Sequence, residues 1–189
     1  AEVTQNDRLF QRPEWDGAIV QKNWLDSGFT FQNWDSDQSH ADVWSFGPTF
    51  ISPLLSHRFI ELGGRFDIIH FDPDAGGSET GLSDIDVWGK YQLVNNEACM
   101  TSVGLLLTLP SGSDNIALPR ASGEFNGEVF AGGRYKIDSS LAAIAHLALR
   151  HNSDMDIELG NRQAEVDGEL QAALGGGLIY EATPELNLQ

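Results

Sequence analysis

The stretch that decides the fold runs from Gly123 to Leu149 and reads GEFNGEVFAGGRYKIDSSLAAIAHLAL. In its first half the odd positions are Phe125, Gly127, Val129, Ala131, Gly133, Tyr135 and Ile137. The even positions are Glu124, Asn126, Glu128, Phe130, Gly132, Arg134 and Lys136. A period of two puts alternate side chains on opposite faces of a strand. One face is therefore apolar and the other mostly charged. Asp138-Ser139-Ser140 is a tight turn, after which Leu141, Ala143, Ala145, Leu147 and Leu149 lie opposite Ala142, Ile144, His146, Ala148 and Arg150. Both strands exceed the usual length of about five or six residues. They match the roughly 9–11 residues with which a tilted strand crosses a bilayer.

Working outward, the same pattern recurs. Phe29 and Phe31 alternate with Thr30 and Gln32, and Trp44, Phe46, Pro48 and Phe50 with Ser45, Gly47 and Thr49. Pro48 signals an edge or a bulge, because proline donates nothing to a ladder. Ile60 to Ile68 reads as one strand, as do Asp84 to Leu93, Met100 to Leu109 and Val166 to Glu181. A further strand begins at Glu185. Polar stretches at 35–40, 72–81, 110–120 and 152–163 alternate with short turns at 53–56, 95–96, 138–140 and 183–184. All three tyrosines, Tyr91, Tyr135 and Tyr180, stand on the apolar parity a few residues before a short turn.

The totals narrow the class. The chain has 189 residues, one domain in length, with 28 Asp plus Glu against 11 Lys plus Arg. That charge excludes nucleic acid and a basic membrane-docking patch, both of which need clustered cations. The 20 glycines suit close strand packing. The single cysteine, Cys99, leaves no intrachain disulfide or thiolate metal cluster and fits the periplasm or the cytoplasm equally. No run of about 18 apolar residues marks a transmembrane helix, but strands facing lipid on one side have ordinary mean hydropathy. The start at Ala1-Glu2-Val3 reads as a cleaved mature product or a trimmed chain.

Long strands, alternating connection lengths and tyrosines at one end together predict an all-β, antiparallel, up-and-down transmembrane β-barrel in the bacterial outer membrane. The alternative is a soluble β-sandwich or barrel that buries its apolar face and binds a ligand. Residues 1–23, polar and containing Pro13, read as an N-terminal periplasmic arm with a short strand at Ala18 to Gln21. Residues 24–189 read as the barrel, incomplete at its C-terminus. The expectation is at least eight strands, and ten or twelve if the chain continues. Tyr91, Tyr135 and Tyr180 form the membrane girdle on the periplasmic side.

Two segments resemble a known family. Gly81-Leu82-Ser83-Asp84-Ile85-Asp86-Val87-Trp88-Gly89-Lys90-Tyr91 resembles its GLGD-to-KY strand, and Leu105-Leu106-Leu107-Thr108-Leu109-Pro110-Ser111-Gly112-Ser113-Asp114 its K-LPTGD strand-to-loop junction. The family is the outer-membrane, transporter-like group named for the MetA pathway of phenol degradation. Thr108 stands where a lysine is common and Ser111 where a threonine is. The resemblance covers Leu82 to Tyr135 and implies a barrel type, not a substrate.

The inner face carries the functional expectation. Asp84, Asp86, Glu124, Glu128, Asp167 and Glu169 follow polar loops and would ring the extracellular half of a solute path. Lys90, Arg134 and Lys136 lie toward the periplasm, with Arg65 and His146 near mid-depth. Such a mouth concentrates cations. The expected function is a passive, porin-like channel for small hydrophobic or cationic solutes. The alternative is a non-conducting barrel, structural or partner-holding, whose charges pair across strands. A lipid A-modifying hydrolase is a third reading, since His151 and Ser153, with Glu158 nearby, resemble the outward His/Ser pair of lipid A 3-O-deacylases. Asp154 stands where that family has Asn, and an ordinary loop is favoured, so no catalytic residue is expected. Asp72, Asp74 and Glu79, or Asp154, Asp156 and Glu158, have Ca²⁺-ligand chemistry without EF-hand spacing and read as solvated loops. His40, His57 and His70 are scattered. No metal or cofactor is expected. The expected partners are outer-membrane lipid, a small-molecule solute and a periplasmic or envelope protein.

Overall fold

The structure, a computed structural model, describes residues 13–20, 22–36, 39–54, 59–74, 77–113, 124–153, 155–159, 162–166, 168–183 and 186–188. The fold is all-β, as the alternation predicts. Its strands are β1 (Trp24–Ser36), β2 (Ser39–Pro53), β3 (Ile60–Arg65), β4 (Ile68–Pro73), β5 (Glu79–Leu82), β6 (Ile85–Asn95), β7 (Cys99–Leu109), β8 (Asn126–Lys136), β9 (Leu141–Asn152), β10 (Met155–Leu159), β11 (Arg162–Val166), β12 (Leu170–Thr183) and β13 (Leu186–Leu188). β10 and β11 form a separate hairpin, and the other eleven make one antiparallel sheet curled as a half-barrel. Among the described residues its edge strands, β1 and β13, are not paired with each other.

The sheet is a meander once β3 and β4, and likewise β5 and β6, are taken as interrupted single strands. That leaves nine, eleven less two. β2 keeps one register past the interruption, with Thr49 opposite Arg65 and Phe46 opposite Ile68. On the far side the register slips, from Arg65 opposite Asp86 to Ile68 opposite Leu82. Two residues, Phe66 and Asp67, therefore face three, Ser83 to Ile85, which is a β-bulge that bends the sheet. Pro48 stands beside this break, between Thr49 and Gly47, whose Cβ, if present, would strike the Phe66 carbonyl. The bulge lies one strand further on, where β3 and β4 meet β5 and β6, and β2 itself is paired on both sides.

The two faces differ as the parity requires. On the outer face Tyr91, Val103, Leu105, Val129, Tyr135, Leu147, Leu174, Leu178 and Tyr180 are exposed. On the inner face Trp88, Lys90, Gln92, Ser102, Leu106, Glu128, Phe130 and Arg134 are buried. Curling crowds this face, and glycines relieve the crowding. Trp88 lies over Gly63, Phe130 over Gly104 and His146 over Gly175, each ring covering the glycine directly across the ladder.

The residues that bury this face come from the segment before β1. Pro13–Trp15 is one 3₁₀ turn, and residues 16–20 continue without ladder pairing across the inner face. Ala18, Ile19 and Val20 are all buried, so the short strand expected there is absent over the described Ala18 to Val20. Val20 packs with Ile51, Trp88, Leu106, Phe130 and Ala148. Three expected loops are largely ladder instead. Asp35 pairs His40, β4 and β5 form a hairpin, and Met155 pairs Val166. Polar residues wetted on both faces still satisfy their backbone groups by pairing. The last wall strand therefore begins at Leu170, not Val166, and β13 adds the pairing expected after Glu185.

Candidate functional site

The inner face carries polar side chains among its apolar ones, and the segment at 13–20 answers several of those polar groups. The Lys90 ammonium donates to the carbonyl oxygens of Asp16 at 2.6 Å and Ala18 at 2.5 Å. Gln92 Nε2 donates to the Gly17 carbonyl at 3.3 Å, and Ser102 Oγ to that of Asp16 at 3.4 Å. Glu61 accepts from the Val20 N–H at 3.0 Å and from Trp88 Nε1 at 3.1 Å. Arg134 grips the Asp16 carboxylate with two bonds, Nε to Oδ1 at 3.1 Å and Nη2 to Oδ2. Asp16 and Glu61 are fully buried and Lys90 is 1% exposed. Removing one partner of such a buried pair costs about 3–5 kcal/mol.

Close approach of the segment needs two glycines. A Cβ on Gly132 would sit 2.7 Å from the Glu14 carbonyl oxygen, and one on Gly17 would collide with the Met100 carbonyl. Trp15 stacks on His146 at 6.1 Å. Between them and β9 and β12 lies a cavity of about 170 Å³, lined by Glu14, Glu128, His146, Arg150, Gln171 and neighbouring alanines.

Three of the other expected path residues, Arg65, Asp86 and Glu128, are paired along rungs. Arg65 and Asp86 share a rung and bond through Nε at 3.0 Å and Nη2 at 2.9 Å, with Thr108 Oγ1 donating to Asp86 at 2.7 Å. Arg65 thus sits with Asp86, near the ends that carry the polar connections. Glu128 and Arg150 share another rung, with Nε to Oε2 at 3.1 Å. Asp84 is buried and accepts from the N–H groups of Ser111 at 3.2 Å and Gly112 at 2.9 Å, pinning the connection after β7. Glu124 and Lys136 lie at opposite ends of β8, both half-buried. Glu169 is exposed just before β12, and Asp167 lies outside the described residues. The lengthwise order of acids and bases on β8 matches the sequence, but Glu128 and Arg134 face partners rather than an open bore.

Tyr91, Tyr135 and Tyr180 are all exposed on the outer face toward the short-turn end, with Tyr135 and Tyr180 two rungs apart across β9. For the hydrolase reading, the Ser153 hydroxyl donates to the Phe125 carbonyl oxygen, and His151 is exposed on its own rung opposite Gly127 and Leu170. The Glu158 and Asp154 side chains lie outside the described residues. Among the described residues no group of three or more His, Cys, Asp or Glu side chains is gathered as for a metal ion.

Sequence reasoning missed Glu14, Asp16, Glu61 and Gln92. Glu61 and Gln92 stood on the polar parity and were legible as inward. Asp16 gave no periodic signal, because its segment has no ladder pairing and so no alternation to read. No protein-family model matches the chain, and no curated protein matches it.

Proposed function

We propose that the chain is an outer-membrane β-barrel protein, a passive small-solute channel held shut, in the form seen, by its own residues 13–20. One observation carries this reading: the outer face is apolar and exposed, while the buried face sets ionised and polar side chains beside a small apolar cluster. The outer face is a continuous apolar band of exposed Leu, Val, Phe and Tyr, while the buried face holds Lys, Arg, Glu and Gln. Soluble monomers rarely expose apolar patches larger than a few hundred Å², whereas a lipid-facing barrel wall must. Outward tyrosines toward the short-turn end suit a headgroup girdle. The family resemblance in Gly81–Tyr91 and Leu105–Asp114 points the same way.

A barrel of about eight strands is filled by its own side chains. Here a chain segment lies in the hollow of the half-barrel and takes up room that the wall's own side chains leave. The non-conducting scaffold is the second reading, favoured by the buried Asp16–Arg134 pair, which makes closure firm. The hydrolase reading draws no support from Ser153, whose proton is aimed at a backbone carbonyl. The test is extraction and conductance of the full chain. Release from membranes only by detergent, heat-modifiable gel migration, and brief openings in planar bilayers are expected. Recovery in the soluble fraction without detergent refutes the barrel, and a folded barrel that never opens leaves the scaffold.

A further inference from the structure

We propose that Arg134, with the positive charge of Lys90 beside it, forms a carboxylate site in the lumen wall, which the chain's own Asp16 occupies and which a small carboxylate solute takes when residues 13–20 move aside. The inference rests on the reading of that segment as a plug that closes a channel. Among the described residues, the wall presents at the level of the plug two buried cations, Lys90 and Arg134, against one fully buried carboxylate, Glu61. Arg65 is matched by Asp86 and Arg150 by Glu128, each on its own rung. Asp16 therefore supplies the charge that balances this part of the wall. Its carboxylate is held as a ligand would be, by two guanidinium donors of Arg134, Nε to Oδ1 and Nη2 to Oδ2. The planar fork of arginine matches a carboxylate in two-point geometry.

The other anchors read backbone. Lys90, Gln92 and Ser102 donate to carbonyl oxygens, and Glu61 accepts from an N–H. Asp16 is thus the segment's carboxylate that Arg134 holds by its side chain, and a competing carboxylate displaces that contact. Once the segment leaves, Glu14 and Asp16 leave with it, and the constriction carries net positive charge. Selectivity in the open form then favours anions, opposite to what the chain's net charge of -17 suggests.

The test uses the full chain carrying Ile19→Cys in a Cys99→Ser background, folded in detergent, with folding checked by heat-modifiable migration. Ile19 is fully buried, so a maleimide reaches the new thiol only when the segment moves. A ligand that binds only the displaced form raises its population by 1 + [L]/Kd, so succinate at ten times its Kd should speed labelling about tenfold. Sodium chloride at equal ionic strength should not. Asp16→Asn should label faster at once, and in bilayers should conduct with anion preference. Arg134→Lys, which keeps the charge and loses the fork, should flatten the succinate response. Equal acceleration by chloride, no change in Asp16→Asn, or cation preference overturns the site. The labelling needs no conduction. Succinate-dependent labelling of a barrel that is silent in bilayers therefore keeps the site and removes the channel, while a conducting barrel indifferent to succinate does the reverse.

Discussion

Asp138 opens the turn between β8 and β9, and its Oδ1 accepts from the Ser140 N–H at 2.7 Å, the Ser140 hydroxyl at 3.0 Å and the Leu141 N–H at 2.9 Å. The Ser140 amide and hydroxyl hold its carboxyl below the ordinary 3.8, helped by the Leu141 amide and the charge of Lys136 and opposed by desolvation. A carboxylate depressed by folding adds stability above its unfolded pKa, and that stability is lost as pH falls through the folded value. The window therefore lies below about pH 4. Asp138 should titrate below 3.8 when its carboxyl carbon is followed by NMR, and Asp138→Asn should remove this part of the acid limb of the stability profile. A midpoint at or above 3.8 contradicts it. This turn was legible in the sequence because Asp-Ser-Ser makes its bonds locally. Asp16 was not, because its partner Arg134 is distant in the chain and no local pattern encodes the pairing.

At the scale of elements, the least legible feature is the interruption of β3 and β4. Alternation runs unbroken through Phe66, Asp67 and Ile68, so periodicity sees one strand, and only Pro48 hints at the break. Ser83, buried at the bulge, holds it together. Its Oγ accepts from the Asp67 N–H at 2.8 Å and donates to the Asp84 carbonyl at 2.8 Å, while its own N–H donates to the Asp67 carbonyl at 2.8 Å. Ser83→Ala strands the Asp67 N–H and should cost about 1–3 kcal/mol, the penalty for an unsatisfied buried donor. Ser78→Ala, on the exposed connection between β4 and β5, should stay within about 0.5 kcal/mol. Urea unfolding of the two variants compares them, and equal midpoints would show that the bulge does not depend on Ser83. The strands of the opening hairpin, by contrast, were legible nearly to the residue, since both faces of β8 and β9 keep their parity from end to end.

Across the whole molecule, parity gave the two faces but not which of them meets water. A period of two is the same whether the apolar side turns inward or outward, and the segment that fills the hollow carries no period at all. The assignment of the outer face to lipid therefore needs a substitution whose sign of effect depends on the solvent. Leu147 sits in the middle of β9 on the outer face, 47% exposed, on a rung with the exposed Ala131 and Leu174. In water, replacing so exposed a leucine by arginine changes stability by no more than about 0.5 kcal/mol. At the midplane of a bilayer the same charge costs about 2–4 kcal/mol on a barrel's lipid face. Leu147→Arg, unfolded by urea from lipid vesicles, should therefore fall in the larger range. Glu97→Arg, in the exposed turn between β6 and β7, should fall in the smaller one, because that turn would lie among headgroups and water. Two variants equally close to wild type would mean that this apolar band faces water, and the girdle of Tyr91, Tyr135 and Tyr180 would lose its meaning with it.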